Sequence, residues 1–260
     1  MTLLQAIVIA IVEGITEYLP ISSTGHMIVA ASVMGIEPTD FTKIYVVAIQ
    51  LGAILAAVVV YWKKFFDFSN WRFYLKLIVA VIPALLLGGL LSDTIDELLE
   101  SPFTVAVMLL VGGVVLLFID RMFQDRMIDN EKDISNQKAF VIGLWQCLAM
   151  VPGVSRSAAS IIGGMQQNLT RRVAAEFSFF LAVPTMFAAT GYKLLKGHEA
   201  IDRDSIILLV VGNVVAFVVA LIAIKWFIFY LQRYGFRLFG WYRIFAGIVI
   251  LILLQTGWMK

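Results

Sequence analysis

Residues 13–26 of this chain read EGITEYLPISSTGH and bring two carboxylates, four hydroxyls and one of the two histidines into a largely apolar sequence. Glu13 and Glu17 are four residues apart, so both project from one face of a helix. Pro20 is expected to end that helix, and a small polar loop follows it. Because ionisable groups are costly inside a membrane, their presence in such a sequence indicates a function.

The composition predicts the class of protein. The chain has 260 residues, of which 61% are hydrophobic and 15% are charged, and a soluble domain of this size could not bury so much apolar surface in one core. Its apolar stretches reach the roughly 20 residues that cross a ~30 Å hydrocarbon layer. Alternating strands of about 10 residues, as in membrane barrels, are absent from the sequence. We therefore predict an all-α polytopic membrane protein with a single integral membrane domain, residues 1–260.

Six apolar stretches are predicted to span the membrane: 44–62, 73–91, 103–120, 174–193, 205–230 and 241–258. Two further segments, 3–33 and 139–165, are hydrophobic but broken by glycine, proline and polar residues. We predict that both are re-entrant helical hairpins, because irregular backbone is tolerated at membrane depth only where protein covers it or water reaches it.

The order of these segments predicts an internal repeat. Repeat 1, about 1–120, begins with the first hairpin and a span, and repeat 2, about 139–258, begins with the second hairpin and a span. Loop charges predict that the two spans run in opposite directions. Inverted repeats whose broken helices meet near the middle of the membrane form their site there.

The remaining charges and the single cysteine exclude several classes. A net charge of +2 spread over short loops does not suggest a nucleic-acid partner. Cys147 alone excludes an internal disulfide and a cysteine metal cluster. Basic loops at 62–76 and 225–243 are predicted to be cytoplasmic, and the acidic loop at 92–101 is predicted to lie outside. His198 lies among charged residues and is expected to be solvated.

The second hairpin carries Pro-Gly-Val-Ser-Arg-Ser at 152–157. Arg156 has a planar fork suited to two phosphate oxygens. Gly153 and the flanking serines would let backbone N–H groups approach an anion, and a helix starting near Ser157 would direct its positive end there. The glutamate pair offers oxygen ligands for Mg²⁺ or Ca²⁺. Together these groups suit phosphoryl transfer.

Each of these residue types also has an ordinary structural interpretation. A single serine or threonine in a membrane usually packs helices, and a single arginine usually extends to the interface. Two glutamates could form a proton relay or a cation path. For Glu13, Glu17 and Arg156 we favour a function, because burying a charge without use is costly.

The motifs at 13–26 and 152–157 resemble the two signature motifs of the undecaprenyl-diphosphatase family, also called the bacitracin-resistance family. The runs at 50–54 and 176–184 are similar to that family too, and the resemblance covers essentially the whole chain. It implies a phosphatase of the bacterial inner membrane that removes one phosphate from undecaprenyl diphosphate, a polyprenyl diphosphate lipid. The product is the carrier that cell-wall synthesis recycles. The resemblance also implies a divalent cation and a site open to the periplasmic side.

Carried over by position, the resemblance implies metal binding by Glu13 and Glu17 and catalysis by Glu17, Ser23, His26 and Arg156. We predict that the substrate phosphate is bound by Ser22, Thr24, Gln50, Gly153, Ser155, Arg156, Ser157 and Ser160. Many family members have threonine at the position of Ser160, which keeps a hydroxyl. The nucleophile stays open between Ser23 and His26, because histidine needs no separate base whereas serine must be deprotonated.

Three other classes compete with this interpretation. A transporter or flippase of a phosphorylated polyprenyl lipid would also use inverted repeats and a Glu–Arg site. The other large class of membrane lipid phosphatases needs a second motif histidine, whose position here is Ile162. A purely structural membrane protein is disfavoured by the concentration of polar residues in two loops. A homodimer is compatible with the sequence.

Overall fold

The computed structural model describes residues 1–91, 101–124, 127–197 and 203–258, and these residues form helices joined by short turns. Within those ranges, extended backbone segments pair at one isolated β-bridge, between Ile128 and Leu169. The helices are α1 Leu3–Thr16, α2 Ser23–Val33, α3 Asp40–Val60, α4 Trp62–Phe65, α5 Trp71–Leu90, α6 Pro102–Met122, α7 Asn136–Cys147, α8 Arg156–Gln166, α9 Arg171–Gly197, α10 Arg203–Tyr234 and α11 Arg237–Gln255. Short 3₁₀ turns cover Glu131–Asp133 and Leu148–Met150.

Among the described residues, six helices are long and apolar enough to cross a membrane, and they coincide with the six predicted spans. They are α3, α5, α6, α9, α10 and α11. The all-α polytopic class predicted from composition is therefore confirmed, and the chain is a multi-pass membrane protein.

The predicted basic loop at 225–243 is wrong. Helix α10 continues to Tyr234 and α11 begins at Arg237, so Lys225 and Arg243 lie within helices. The connection is short because Gly235 adopts a left-handed conformation with φ of 71°, which reverses the chain directly after a helix. The Phe236 N–H then donates to Asp120 at 2.9 Å. The predicted acidic loop at 92–101 falls almost entirely outside the described residues, as does His198.

Both predicted hairpins are helix–turn–helix units in the structure. Helix α1 ends at Thr16, four residues before Pro20, because Pro20 has no N–H to donate to the Thr16 carbonyl. Ser22 caps α2 with φ of 71°, and Ser155 caps α8 with φ of 74°. Each serine hydroxyl accepts a hydrogen bond from the backbone N–H three residues later, which is the usual role of an N-cap side chain.

Glycines let each hairpin pack closely against the other half of the chain. A Cβ on Gly14 of α1 would lie 2.7 Å from the Ala216 carbonyl oxygen of α10. A Cβ on Gly143 of α7 would collide with the Ala80 carbonyl of α5. The backbones of these helix pairs therefore lie in direct contact, and each hairpin is held by a helix from the opposite half.

Aromatic side chains attach the first turn to the largest apolar core. Tyr18 packs edge-on against Phe179 of α9 with ring centroids 4.7 Å apart. Its hydroxyl donates to the Ala53 carbonyl of α3 at 2.8 Å. Because Tyr18 is fully buried, the turn after α1 has a defined position relative to α3 and α9.

Charged residues fasten the loop before α7 to neighbouring helices. The Lys76 ammonium, on α5, donates to the carbonyls of Glu131 and Lys132, both at 2.8 Å. Lys64 pairs with Glu131 at 2.6 Å. Burial alone would raise the pKa of the Glu131 carboxyl. The hydrogen bond from Lys64 and nearby positive charges together outweigh the effect of burial, so the pKa is lowered. A hydrogen bond from Thr170, helped by Arg172, likewise lowers the pKa of Asp129.

Candidate active site

The two polar turns meet through an ion pair between Glu17 and Arg156. The Arg156 Nη2 lies 2.7 Å from Glu17 Oε1, and the two side chains are 11% and 4% exposed. Glu17 caps the end of α1, and Arg156 is the first residue of α8. Since they are 139 positions apart in sequence, the contact brings the two motifs into one buried site.

Ser23 forms a hydrogen bond to the other oxygen of the same carboxylate. Its hydroxyl donates to Glu17 Oε2 at 2.7 Å, in a buried environment. Glu17 therefore accepts from a guanidinium on one oxygen and from a hydroxyl on the other. A hydroxyl that already points its proton at a carboxylate has the arrangement of an activated nucleophile and its base.

Ser178 of α9 orients the arginine from the opposite side. Arg156 Nη1 donates to the Ser178 carbonyl at 2.9 Å, and the Ser178 hydroxyl lies 2.7 Å from that of Ser160. The Arg156 Nε is buried and has no hydrogen-bond partner. Sequence analysis assigned no role to Ser178, and the signal that could have found it is its place in the run 176–184 that resembles the family.

The serines of the second loop bond to protein groups. Ser157 donates to the Leu19 carbonyl at 2.8 Å, which joins the two turns a second time. Ser155 and Ser157 are 3.2 Å apart, and Ser160 donates to the Arg156 carbonyl at 2.8 Å. These hydroxyls therefore stabilise the conformation of the loop through hydrogen bonds.

Gly153 is required by packing. Its φ is 92°, and a Cβ there would lie 2.6 Å from the Val105 carbonyl oxygen of α6. Ser22 accepts from the Gly25 N–H as a cap. Among the described residues no hydrogen bond joins Thr24 or Gln50 to the Glu17–Arg156 pair. Gln50 is buried on α3, and Thr24 is half-buried in the first turn of α2.

His26 lies on α2, one turn after Ser23, and both of its ring nitrogens have partners. Its Nδ1 is 2.7 Å from the Ser22 carbonyl oxygen. Its Nε2 is 2.7 Å from the hydroxyl of Tyr242 on α11. The two rings are stacked, with centroids 5.4 Å apart and planes 10° from parallel.

Glu13 is the carboxylate whose oxygens are available to bind a cation. It is fully buried, and neither of its carboxylate oxygens has a hydrogen-bond partner, which is rare for a buried polar group. Within the described ranges no cluster of three or more His, Cys, Asp or Glu side chains could hold a metal. Two carboxylates completed by phosphate oxygens is nevertheless a common way to bind Mg²⁺, so Glu13 and Glu17 fit such an ion.

Arg243 is a residue of the site that sequence reasoning assigned to a loop. It is fully buried and donates at 2.8 to 3.4 Å to five backbone carbonyls, those of Pro20, Met108, Leu109, Gly153 and Val154. It therefore ties the first turn, the second turn and α6 together. An arginine one residue after Tyr242 inside the apolar stretch 241–258 was the signal that could have found it.

Known proteins of similar sequence identify the family. A family model described as bacitracin resistance protein BacA matches residues 6–249. An undecaprenyl-diphosphatase of Flavobacterium psychrophilum is 57% identical over 256 residues, which cover 97% of this chain and 96% of that protein. An undecaprenyl-diphosphatase of Bdellovibrio bacteriovorus is 53% identical over 259 residues, covering 99% and 98%. The chain therefore belongs to the bacitracin resistance protein BacA family.

Proposed function

We propose that this protein is a membrane phosphatase that hydrolyses undecaprenyl diphosphate to undecaprenyl phosphate and phosphate. This activity would recycle the lipid carrier of bacterial cell-wall synthesis and confer bacitracin resistance. The names of the relatives support the substrate. The observation that carries the chemistry is the buried Glu17 carboxylate, which accepts from Arg156 on one oxygen and from Ser23 on the other.

Arg156 is the proposed clamp for the terminal phosphate. Its Nε is buried and has no hydrogen-bond partner, so one donor of the guanidinium remains for a phosphate oxygen. Ser178 keeps the guanidinium plane in place from the other side. A guanidinium offers parallel donors to two oxygens of one phosphate, which fixes its orientation as well as its charge.

Ser23 is the proposed nucleophile. Attack forms a bond from its Oγ to phosphorus and breaks the bond from phosphorus to the bridging oxygen, which leaves on the polyprenyl phosphate. The hydroxyl proton passes to Glu17, whose oxygen already lies 2.7 Å away. Water then attacks phosphorus and breaks its bond to Ser23 Oγ, which takes back the proton held by Glu17, while His26 accepts the proton of that water and passes it to the released phosphate.

Glu13, with Glu17, is proposed to hold a divalent cation, Mg²⁺ or Ca²⁺. When bound, such an ion would neutralise charge on the diphosphate. The unpartnered oxygens of Glu13 support a role for this residue in holding the ion. We expect added Mg²⁺ to raise the Tm of the purified protein and to do so much less in Glu13→Gln. Equal shifts in both proteins would contradict a role of Glu13 in binding the ion.

Phosphate release from a polyprenyl diphosphate by detergent-purified protein tests the function. We expect release by the wild-type protein, loss with a chelator, and loss in Glu17→Ala and Arg156→Ala. Arg233→Ala is the matched control, because that arginine is exposed at the end of α10. Trapping the phosphorylated enzyme and mapping the modified residue distinguishes Ser23 from His26, and phosphate on neither residue would point to direct attack by water.

An inverted repeat is proposed for the two halves, and it supports transport as a second candidate function. Helix α1 packs on α10 through Gly14, and α7 packs on α5 through Gly143, so each hairpin is held in the same way by the other half. Inverted repeats are frequent in transporters. A protein that only moved the phosphorylated lipid across the membrane would release no phosphate in detergent, where no membrane sides exist.

The proposed location is the bacterial inner membrane, with the two hairpins re-entrant and the site open to the periplasmic side. Lys63, Lys64 and Arg72 near the α4–α5 connection support a cytoplasmic position for that end. In a Cys147→Ala background, Lys63→Cys should react with an impermeant thiol reagent in inverted vesicles and not in intact cells. Labelling of intact cells would contradict this orientation.

A further inference from the structure

The last helix contributes a side chain to the site. Tyr242 of α11 is 216 positions from His26 in sequence, yet its hydroxyl lies 2.7 Å from His26 Nε2. The two rings also stack, with planes 10° from parallel. A stacked ring with a hydrogen bond at its edge restricts both the plane of the imidazole and its rotation within that plane.

The partners of His26 decide which nitrogen carries the proton. A backbone carbonyl oxygen can only accept, so the nitrogen that contacts the Ser22 carbonyl, Nδ1, must carry a hydrogen. In the neutral ring Nε2 then has the lone pair and accepts from Tyr242. In the charged ring Nε2 also carries a hydrogen and donates to the Tyr242 oxygen. The nitrogen that gains and loses a proton is therefore Nε2 in both cases.

We propose that Tyr242 is a positioning residue that acts through His26. Its hydroxyl can donate to Nε2 when the imidazole is neutral and accept from it when the imidazole is charged. With the Ser22 carbonyl at the opposite nitrogen, it keeps His26 in the Nδ1–H form and aims Nε2 in one direction through both halves of a proton-exchange cycle. This inference rests on the proposed phosphatase activity, in which His26 exchanges a proton.

The location of Tyr242 is fixed by its neighbour in sequence. Arg243 is fully buried and bonds to carbonyls of both polar turns and of α6. Rotation of α11 about its axis would break those bonds. Tyr242 itself is 40% exposed, so its hydroxyl can rotate between donating to Nε2 and releasing that lone pair for the proton of the water, without rearranging the core.

Removal of the hydroxyl alone tests the proposal. Tyr242→Phe keeps the stacked ring and loses the hydrogen bond, and we expect kcat for phosphate release to fall about tenfold, the effect of one net hydrogen bond on a barrier. KM should change by less than about twofold, because Tyr242 does not contact the phosphate clamp. Tyr234→Phe is the matched control, because Tyr234 is 59% exposed on α10 and packs against Tyr230.

A spectroscopic measurement separates this role from a structural one. The chain has two histidines, so in a His198→Gln background nitrogen-labelled histidine reports on His26 alone. We expect one protonated Nδ1 signal and one Nε2 signal in that protein. Tyr242→Phe should move the Nε2 signal and leave Tm unchanged. Tyr242→Leu, which also removes the ring, should broaden both signals.

The outcomes are distinct from failure of the proposed function. If the wild-type protein releases no phosphate, the phosphatase proposal fails, and the Nε2 signal still tests the contact. If the wild-type protein is active and Tyr242→Phe matches it in kcat and in the Nε2 signal, the positioning role is overturned. Loss of kcat with an unchanged Nε2 signal also overturns it, because Tyr242 would then not act through His26.

Discussion

Arg156 illustrates how a single side chain combines charge with shape. Its guanidinium donates to Glu17 through Nη2 and to Ser178 through Nη1, and its Nε has no hydrogen-bond partner. The three nitrogens of one planar guanidinium therefore have three different roles. A lysine ammonium carries the same charge, but its donors are not held at separate positions in one plane.

Arg156→Lys is therefore expected to lose most of the phosphate-release activity. We expect a fall of roughly 100-fold in kcat, the size found when one donor to a developing anion is removed. Phosphate release by the purified variant is the measurement, with Arg171→Lys, whose guanidinium pairs with Asp120 at 2.6 Å, as the control. Near-normal turnover in Arg156→Lys would contradict the clamp role.

Helix α11 acts as an element that joins the parts of the site. Its Arg243 bonds to carbonyls on both turns and on α6, and its Tyr242 contacts the histidine of α2. A buried cation surrounded by carbonyl dipoles is compensated without a carboxylate. The hairpins depend on it because their turns lack a ladder of backbone hydrogen bonds of their own.

Arg243→Lys should destabilise the protein while keeping the charge. A lysine ammonium has three donors, so at least two of the five carbonyls lose their bond to residue 243, at a cost of about 2 kcal/mol. We expect a lower Tm together with reduced phosphate release. Arg237→Lys, at the exposed start of α11, should leave both unchanged, and an unaltered Tm in Arg243→Lys would argue against the joining role.

The loop before α7 depends on an ion pair whose strength changes with pH. The pKa of Glu131 is lowered in the folded protein, so the pair stabilises the fold above the ordinary carboxyl value of about 4.3. That contribution is lost as the pH falls through the lower folded value. We expect Glu131→Gln to reduce Tm at neutral pH and to have no effect once the carboxyl is protonated. A difference that persists in acid would show that packing is responsible.

The whole molecule depends on direct backbone contact between its two halves. Gly143 of α7 lies on the Ala80 carbonyl of α5, and Gly14 of α1 lies on the Ala216 carbonyl of α10. These contacts hold both hairpins, so the Glu17–Arg156 pair forms only when the halves are correctly packed. The site is thus a product of the assembled bundle.

Gly143→Ala should therefore lower both stability and activity. The added methyl would collide with the Ala80 backbone, which cannot move aside like a side chain, and we expect a cost of about 1 to 3 kcal/mol. Gly89→Ala on α5 is the matched control, because a Cβ there meets no atom within 4 Å. Thermal unfolding and phosphate release of the two variants, compared side by side, check the expectation.

The sequence by itself determined the class, the spans and the two polar turns of this protein. Long apolar stretches must become helices in a bilayer, because backbone polar groups have no other partner there. The polar residues of 13–26 and 152–157 were recognisable because they interrupt those stretches. Proximity in the chain also predicted that Glu13 and Glu17 share a helix face.

Only the tertiary structure decided which groups meet and which merely support them. Ser178, Tyr242 and Arg243 reach the site from spanning helices, and local sequence does not show which residues of a span meet there. The loop serines predicted to bind phosphate also bond to protein groups, as Ser157 does to the Leu19 carbonyl. Such contacts depend on the packing of separate helices, as between His26 and Tyr242, 216 positions apart, and local periodicity carries no information about that packing.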